Sequence, residues 1–104
     1  MKDVLLTFPQ MLEAHARMSP DRLAARDLER ALTFAQWNRR TNQIANALMG
    51  LNLGKGARIG VLAFNCLEWA EIYAATGRAG MIAVPLNFRM NSTELRYILE
   101  DADV

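Results

Sequence analysis

A chain of 104 residues has room for one domain with one core. Its 52% hydrophobic and 22% charged residues form a globular composition that excludes intrinsic disorder. The net charge of +1, with the basic residues scattered, excludes a global field that would recruit nucleic acid or an anionic membrane.

Residues 1–7 contain too short an apolar stretch for a signal peptide, and no run approaches the roughly 18 apolar residues that a membrane-spanning helix needs. The single cysteine, Cys66, has no internal disulfide partner, which fits a reducing compartment. The cytoplasm is the expected location.

Thr7-Phe8-Pro9-Gln10 is a capping-box pattern with proline in the first turn, so a helix is expected to start there. Phe8, Met11, Leu12 and His15 recur at helical spacing and predict its inward face, and Ser19-Pro20 ends it. Leu23-Ala24-Ala25, the turn Asp27-Leu28-Glu29-Arg30 and Ala31-Leu32 then predict a small hairpin.

Thr33-Phe34-Ala35-Gln36 is a second capping box. Phe34, Trp37, Thr41, Ile44, Ala45 and Leu48 form one stripe behind it, while Gln36, Arg39, Arg40 and Gln43 fall on the solvated side. Gly50, or Gly54 a turn later, is expected to supply a left-handed residue at the helix end.

Residues 58–64 are a nearly continuous apolar run, which suits a parallel strand covered on both faces. Asn65, with Glu68 three residues on, predicts the cap of a third helix over residues 66–79. That helix carries Leu67, Trp69, Ala70, Ile72, Tyr73, Ala74 and Ala75, apolar nearly all round, and so needs burial on more than one side. Gly80 ends it, residues 81–84 predict a second buried strand, and Pro85 closes that strand. Asn91 or Ser92, followed by Glu94, opens a last helix with Leu95, Ile98 and Leu99 inward.

The fold expected is α/β: an incomplete parallel or mixed sheet with covering helices, residues 1–104 forming one incomplete segment. Incompleteness is expected because the third helix has too few strands to cover it. The final residues also resemble a turn into another strand, leaving an unpaired edge. Self-association through strand or helix exchange follows as an expectation.

Few residues offer chemistry. Gly54-Lys55-Gly56-Ala57-Arg58-Ile59-Gly60 precedes a strand, whereas a phosphate-cradling loop follows one, so these glycines read as a tight turn. His15 stands alone on the inward face of the first helix and reads as a half-buried structural imidazole. Cys66, in the first turn of a helix, could have a lowered thiol pKa, but packing is the simpler reading.

Trp37 and Trp69 read as core residues, and Arg39-Arg40 as a solvated face. Glu100, Asp101 and Asp103 read as a polar helix end rather than a metal site. Asn87, Arg89 and Asn91 leave the C-terminal end of a parallel strand, where α/β sheets place ligand sites. Asn87 and Arg89 are therefore the ligand-proximal candidates, with loop-backbone satisfaction by Asn87 and an ion pair at Arg89 as the structural alternative.

Several segments in order resemble the acyl-CoA synthetases of the adenylate-forming superfamily. They are Leu32-Thr33-Phe34 leading into Asn38-Arg39-Arg40-Thr41-Asn42-Gln43-Ile44-Ala45, then Gly54-Lys55-Gly56-Ala57-Arg58 and Asn65-Cys66-Leu67-Glu68. Ala79-Gly80, Pro85-Leu86-Asn87 and Glu94-Leu95-Arg96-Tyr97-Ile98-Leu99 complete the set. Ala57 stands where many members have aspartate, and Phe34 where many have tyrosine.

The resemblance implies the N-terminal part of the large domain of an AMP-forming acyl-CoA ligase acting on a fatty or aromatic carboxylic acid. Such an enzyme uses ATP, Mg and coenzyme A. A carboxylate attacks the α-phosphate of Mg-ATP to give an acyl-adenylate, and the coenzyme A thiol then displaces AMP. The family's phosphate loop and mobile C-terminal domain have no counterpart before Val104. No catalytic, cofactor-binding or metal residue is therefore carried over, and the chain alone is expected to be inactive. The remainder of the adenylation domain is the implied partner. A peptide-synthetase adenylation domain and a non-catalytic scaffold or dimerisation module are the rival readings.

Overall fold

The computed structural model describes residues 6–64 and 66–104. In chain order it has α1 (Phe8–Met18), β1 (Leu23–Arg26), β2 (Ala31–Thr33), α2 (Phe34–Met49), β3 (Arg58–Leu62), α3 (Glu68–Arg78), β4 (Ile82–Leu86) and α4 (Ser92–Asp101). The α/β expectation holds, with the strands in two separate pairs. β1 and β2 form an antiparallel hairpin with a register irregularity between Leu23 and Ala25, while β3 and β4 are parallel.

Three helices start where side chains bond reciprocally with the backbone. Thr7 with Gln10, Thr33 with Gln36 and Asn91 with Glu94 are all complete capping boxes, each satisfying amides that a helix N-terminus otherwise leaves unpaired. The cap expected from Asn65 lies outside the described residues. α3 begins at Glu68, two residues later than predicted, after Leu67, which makes no side-chain cap.

Helix ends are equally local. Gly80 takes φ +73; the Met81 N–H donates to Thr76 O and the Gly80 N–H to Gly77 O, a Schellman ending that needs a left-handed residue. α4 ends in the same pattern, with Asp103 at φ 54 and the Val104 N–H donating to Leu99 O. After α2 the left-handed residues are Asn52, Gly54 and Gly56, whereas Gly50 is right-handed at φ −65.

α3 is the centre of the fold. It packs against α1 and α2 on one side and β4 on the other, and Ala74 and Ala75 are completely buried. The cover is partial, as expected from its all-round apolarity: Tyr73 stays 45% exposed, and Trp69 and Ile72 are half-buried. α1 comes close through Pro9: a Cβ on Gly77 would meet the Pro9 ring at 3.1 Å. The buried line of α1 is accordingly Pro9 and Leu12, while Phe8 and Met11 are exposed. α1 is therefore rotated by about one residue from the expected face, because its neighbour is another helix approached at a glycine.

α4 crosses the opposite side of the sheet: a Cβ on Gly60 would meet Val104 at 3.1 Å, and Leu86 and Leu99 lie within 3.6 Å. Leu95 and Ile98 are half-buried, Leu99 is exposed, and α4 has no fully buried residue. Pro85 lies inside β4, paired with Val61, and does not close it. No helix among the described residues is long and apolar enough to cross a membrane.

Candidate functional site

The C-terminal ends of β3 and β4 lie side by side because the strands are parallel and in register, Leu62 opposite Leu86. Phe64 beyond β3 and Phe88 beyond β4 meet with ring centroids 4.4 Å apart. Asn87 turns the chain: its Oδ1 accepts a 2.9 Å hydrogen bond from the Arg89 N–H, the geometry by which asparagine mimics a backbone turn. The Arg89 guanidinium carbon sits 5.5 Å from the Phe88 ring centroid. Arg89 forms no salt bridge among the described residues. Asn87 thus plays the backbone role weighed for it; Arg89 does not make the expected ion pair.

Beside this rim, Cys66, Trp69, Tyr73 and Pro85 line a cleft of about 320 Å³. The Trp69 indole N–H donates to Phe64 O at 2.9 Å, and the Tyr73 ring lies 5.5 Å from the Trp69 ring. Cys66 precedes α3 rather than sitting in its first turn. Its thiol is pushed up, first by hydrogen bonding to the Glu68 carboxylate and then by burial, opposite to the lowering a helix N-terminus would cause. That direction favours the protonated thiol over the thiolate.

Rigidity under the rim comes from carboxylates that the sequence did not mark out. Glu71, only 1% exposed, accepts from Arg30 Nη2 at 2.6 Å and from Arg40 Nε at 3.1 Å. Arg30 also reaches Glu68 at 2.9 Å. One buried acid thus ties the hairpin, α2 and α3 together, which explains a charge in an otherwise apolar helix. Arg40 joins this cluster through its Nε while, like Arg39, it lies on the exposed side of α2 as expected.

Asp27 is the second tie. Its Oδ1 accepts from the Glu29 and Arg30 N–H groups and its Oδ2 from the Leu67 N–H. The Arg30 backbone bond, then those from Leu67 and Glu29, hold its carboxyl below the ordinary value. The available signal for the Glu71 cluster was a second acid in the first turn of α3, three residues after Glu68, among apolar residues. Nothing in the sequence pointed from Asp27 to Leu67.

The remaining candidates are structural. His15 is exposed and stacks on Phe34 at 5.0 Å, not half-buried as expected. Trp37 is part-buried, its N–H donating to Ala70 O. Gly54 and Gly56 take φ +87 and +82 with open space where a Cβ would stand, so backbone conformation and not ligand approach requires them. A second cleft, about 370 Å³, lies between α1, α2 and α3. Arg78 spans it and is already engaged by Asn42 Oδ1 and Pro9 O.

The sequence matches the AMP-binding enzyme family over residues 12–104. It is 38% identical over 96 residues to the mitochondrial medium-chain acyl-CoA ligase ACSF2 of Macaca fascicularis, covering 90% of this chain and 16% of that protein. It is 40% identical over 87 residues to a feruloyl-CoA synthase of an Amycolatopsis species, covering 84% of this chain and 18% of that one. The structure superposes on the N-terminal domain of FACL13 from Mycobacterium tuberculosis with a TM-score of 0.83 at 32% identity, covering 89% of this chain and 24% of that domain. The chain thus spans less than a fifth of the length of these two curated relatives. Sequence match and architecture agree: the chain belongs to the AMP-binding enzyme family and has the fold found in N-terminal domains of its acyl-CoA ligases.

Proposed function

We propose that residues 1–104 are an N-terminal scaffold segment of an AMP-forming acyl-CoA ligase, which activates a fatty or aromatic carboxylic acid as its acyl-adenylate and transfers the acyl group to coenzyme A. The observation that carries this reading is the family match over residues 12–104, reinforced by relatives named as medium-chain acyl-CoA and feruloyl-CoA enzymes. On this reading the enzyme works in the cytoplasm, for which the lone cysteine is the support.

ATP, Mg and coenzyme A belong to the proposed whole enzyme. The described residues do not fit them: no group of His, Cys, Asp and Glu among them could hold a metal. The glycine turn at Gly54 and Gly56 enters β3 instead of following a strand, so its amides are not set before a helix to receive phosphate. What this segment contributes is placement. The Glu71 and Asp27 ties fix the hairpin to α3, and the parallel pair presents Asn87 and Arg89 at its C-terminal rim, where a carboxylate or phosphate would meet the Arg89 charge. The rest of the adenylation domain is then the structural partner.

A chimera tests this. Exchanging residues 12–104 for the matching segment of feruloyl-CoA synthase is expected to retain acyl-CoA formation, while the 104-residue chain alone shows no ATP–pyrophosphate exchange. A soluble, folded chimera without thioester formation would count against the ligase reading, and exchange by the chain alone would count against the scaffold role.

A further inference from the structure

Residues 87–90 form a β-turn with Phe88 and Arg89 at its two central positions. The Met90 N–H donates to Asn87 O at 3.1 Å and the Arg89 N–H to Asn87 Oδ1 at 2.9 Å, so the backbone of both residues is fixed. A fixed backbone does not fix the Arg89 charge, which stands at the end of a long, rotamer-rich side chain. Phe64 and Phe88 lie two residues beyond Leu62 and Leu86, the last paired positions of β3 and β4. Strand side chains alternate faces, so both rings emerge on one side of the pair, and their centroids meet at 4.4 Å with the planes tilted by 49°. Phe64 is itself tied to α3, because its carbonyl accepts from the Trp69 indole N–H at 2.9 Å. The Phe88 ring is thus braced, and the Arg89 guanidinium carbon lies over it, 5.5 Å from its centroid, within the range at which a ring face attracts a cation.

We propose that Phe88, braced by Phe64, is the positioning residue for Arg89: the ring holds the guanidinium at the strand exit, its N–H groups set in advance for the anionic oxygens of a substrate phosphate or carboxylate. The inference rests on the ligase reading, because it needs such a substrate at this rim. A guanidinium lying on a ring uses its flat face for that contact and keeps its in-plane N–H groups at its edge for an anion. Ordering the side chain beforehand lowers the entropy lost when the anion binds. It therefore acts on substrate affinity and not on the chemical step. The seat is built from this segment's own residues: Trp69 holds Phe64, Phe64 holds Phe88, and Phe88 carries Arg89.

The test has two readouts. In NMR spectra of the 104-residue chain, the Arg89 side-chain protons are expected to carry a ring-current shift that Phe88→Leu removes and Phe64→Leu weakens. In the chimeric ligase, Phe88→Leu is expected to raise the KM of ATP, of the acid or of coenzyme A about two- to fivefold, the scale of an exposed cation–π contact, with kcat unchanged. The substrate affected identifies the anionic group that Arg89 receives. Phe88→Trp, which offers a better ring face, keeps the KM of the unsubstituted chimera. In an Arg89→Gln background, Phe88→Leu raises no KM further, because the two residues share one interaction. An absent ring-current shift, KM values unmoved by Phe88→Leu, or an equal rise when Arg89 is already replaced would each overturn the proposal. A chimera that makes no thioester before any of these substitutions counts against the ligase reading, and the ring-current shift then decides by itself whether Phe88 seats Arg89.

Discussion

The Asp27 carboxylate, in the turn of the β1–β2 hairpin, accepts a 2.9 Å hydrogen bond from the Leu67 N–H just before α3. With no side-chain cap at that helix start, an acid forty residues away satisfies an amide there. Asp27 is held below the ordinary aspartate value by its backbone hydrogen bonds. A carboxyl whose folded-state pKa is depressed stabilises fully above its unfolded-state pKa and loses that stabilisation as pH falls through the folded value. Stability of the chain is therefore expected to decline on the acid side of the ordinary aspartate pKa. In Asp27→Asn that decline is shallower, and the Leu67 amide exchanges faster at neutral pH. Urea titrations followed by Trp fluorescence across that range provide the check. An unchanged slope with unchanged Leu67 exchange would mean the bond contributes nothing.

Glu71 predicts a larger effect. Its carboxylate is 1% exposed and satisfied by Arg30 and Arg40, both part-exposed. Glu71→Gln keeps the shape but removes the charge facing two guanidiniums, and is expected to cost about 2 kcal/mol. Arg40→Met leaves Glu71 with Arg30 alone and should cost about half as much. The two changes are expected to be non-additive because they share one interaction. A double-mutant cycle in urea gives the coupling, and additive losses would show that the ion pair is not the source.

The elements legible in the sequence were those whose causes are close in the chain. Each of the three capping boxes joins residues three apart, the hairpin turn lies between its own strands, and the left-handed Gly80 sits directly after α3. Contacts across 31 to 41 residues were not legible: Arg40–Glu71, Asp27–Leu67 and Arg30–Glu71 join elements whose meeting is decided only by packing. The same limit explains Phe8 and His15. Apolar spacing gave α1 a plausible face, but the approach of Gly77 to Pro9 selected another. At the candidate rim, Asn87 was legible as a turn residue because its partner, Arg89 N, is two residues away.

Glycine conformation separates two positions that look alike in sequence. Gly80 has φ +73 with its nearest foreign atom, on Lys55, at an ordinary 3.5 Å from an added Cβ, whereas Gly50 has φ −65. Gly80→Ala is expected to destabilise by about 1–2 kcal/mol through backbone strain alone. Gly50→Ala meets Ala47 O at 3.3 Å, and its gain in helix propensity offsets that contact to within about 1 kcal/mol. Thermal or urea unfolding of the pair measures the difference, and equal costs would show that φ at Gly80 is not the constraint.

Arg89 supplies the test of the rim itself. Its backbone N–H, not its guanidinium, makes the turn with Asn87, and the guanidinium lies over Phe88 without a carboxylate partner among the described residues. Arg89→Gln should therefore change stability by no more than about 0.5–1 kcal/mol, the scale of an exposed cation–π contact. Asn87→Ala removes the turn acceptor and should cost about 1 kcal/mol. The two variants thus divide scaffold from charge. In the chimeric ligase, Arg89→Gln is expected to raise the KM for ATP or for the acid with little change in unfolding midpoint, because a positive charge at the strand exit attracts an anionic ligand without holding the fold. Unchanged KM values would assign Arg89 to the surface and leave the rim a structural turn.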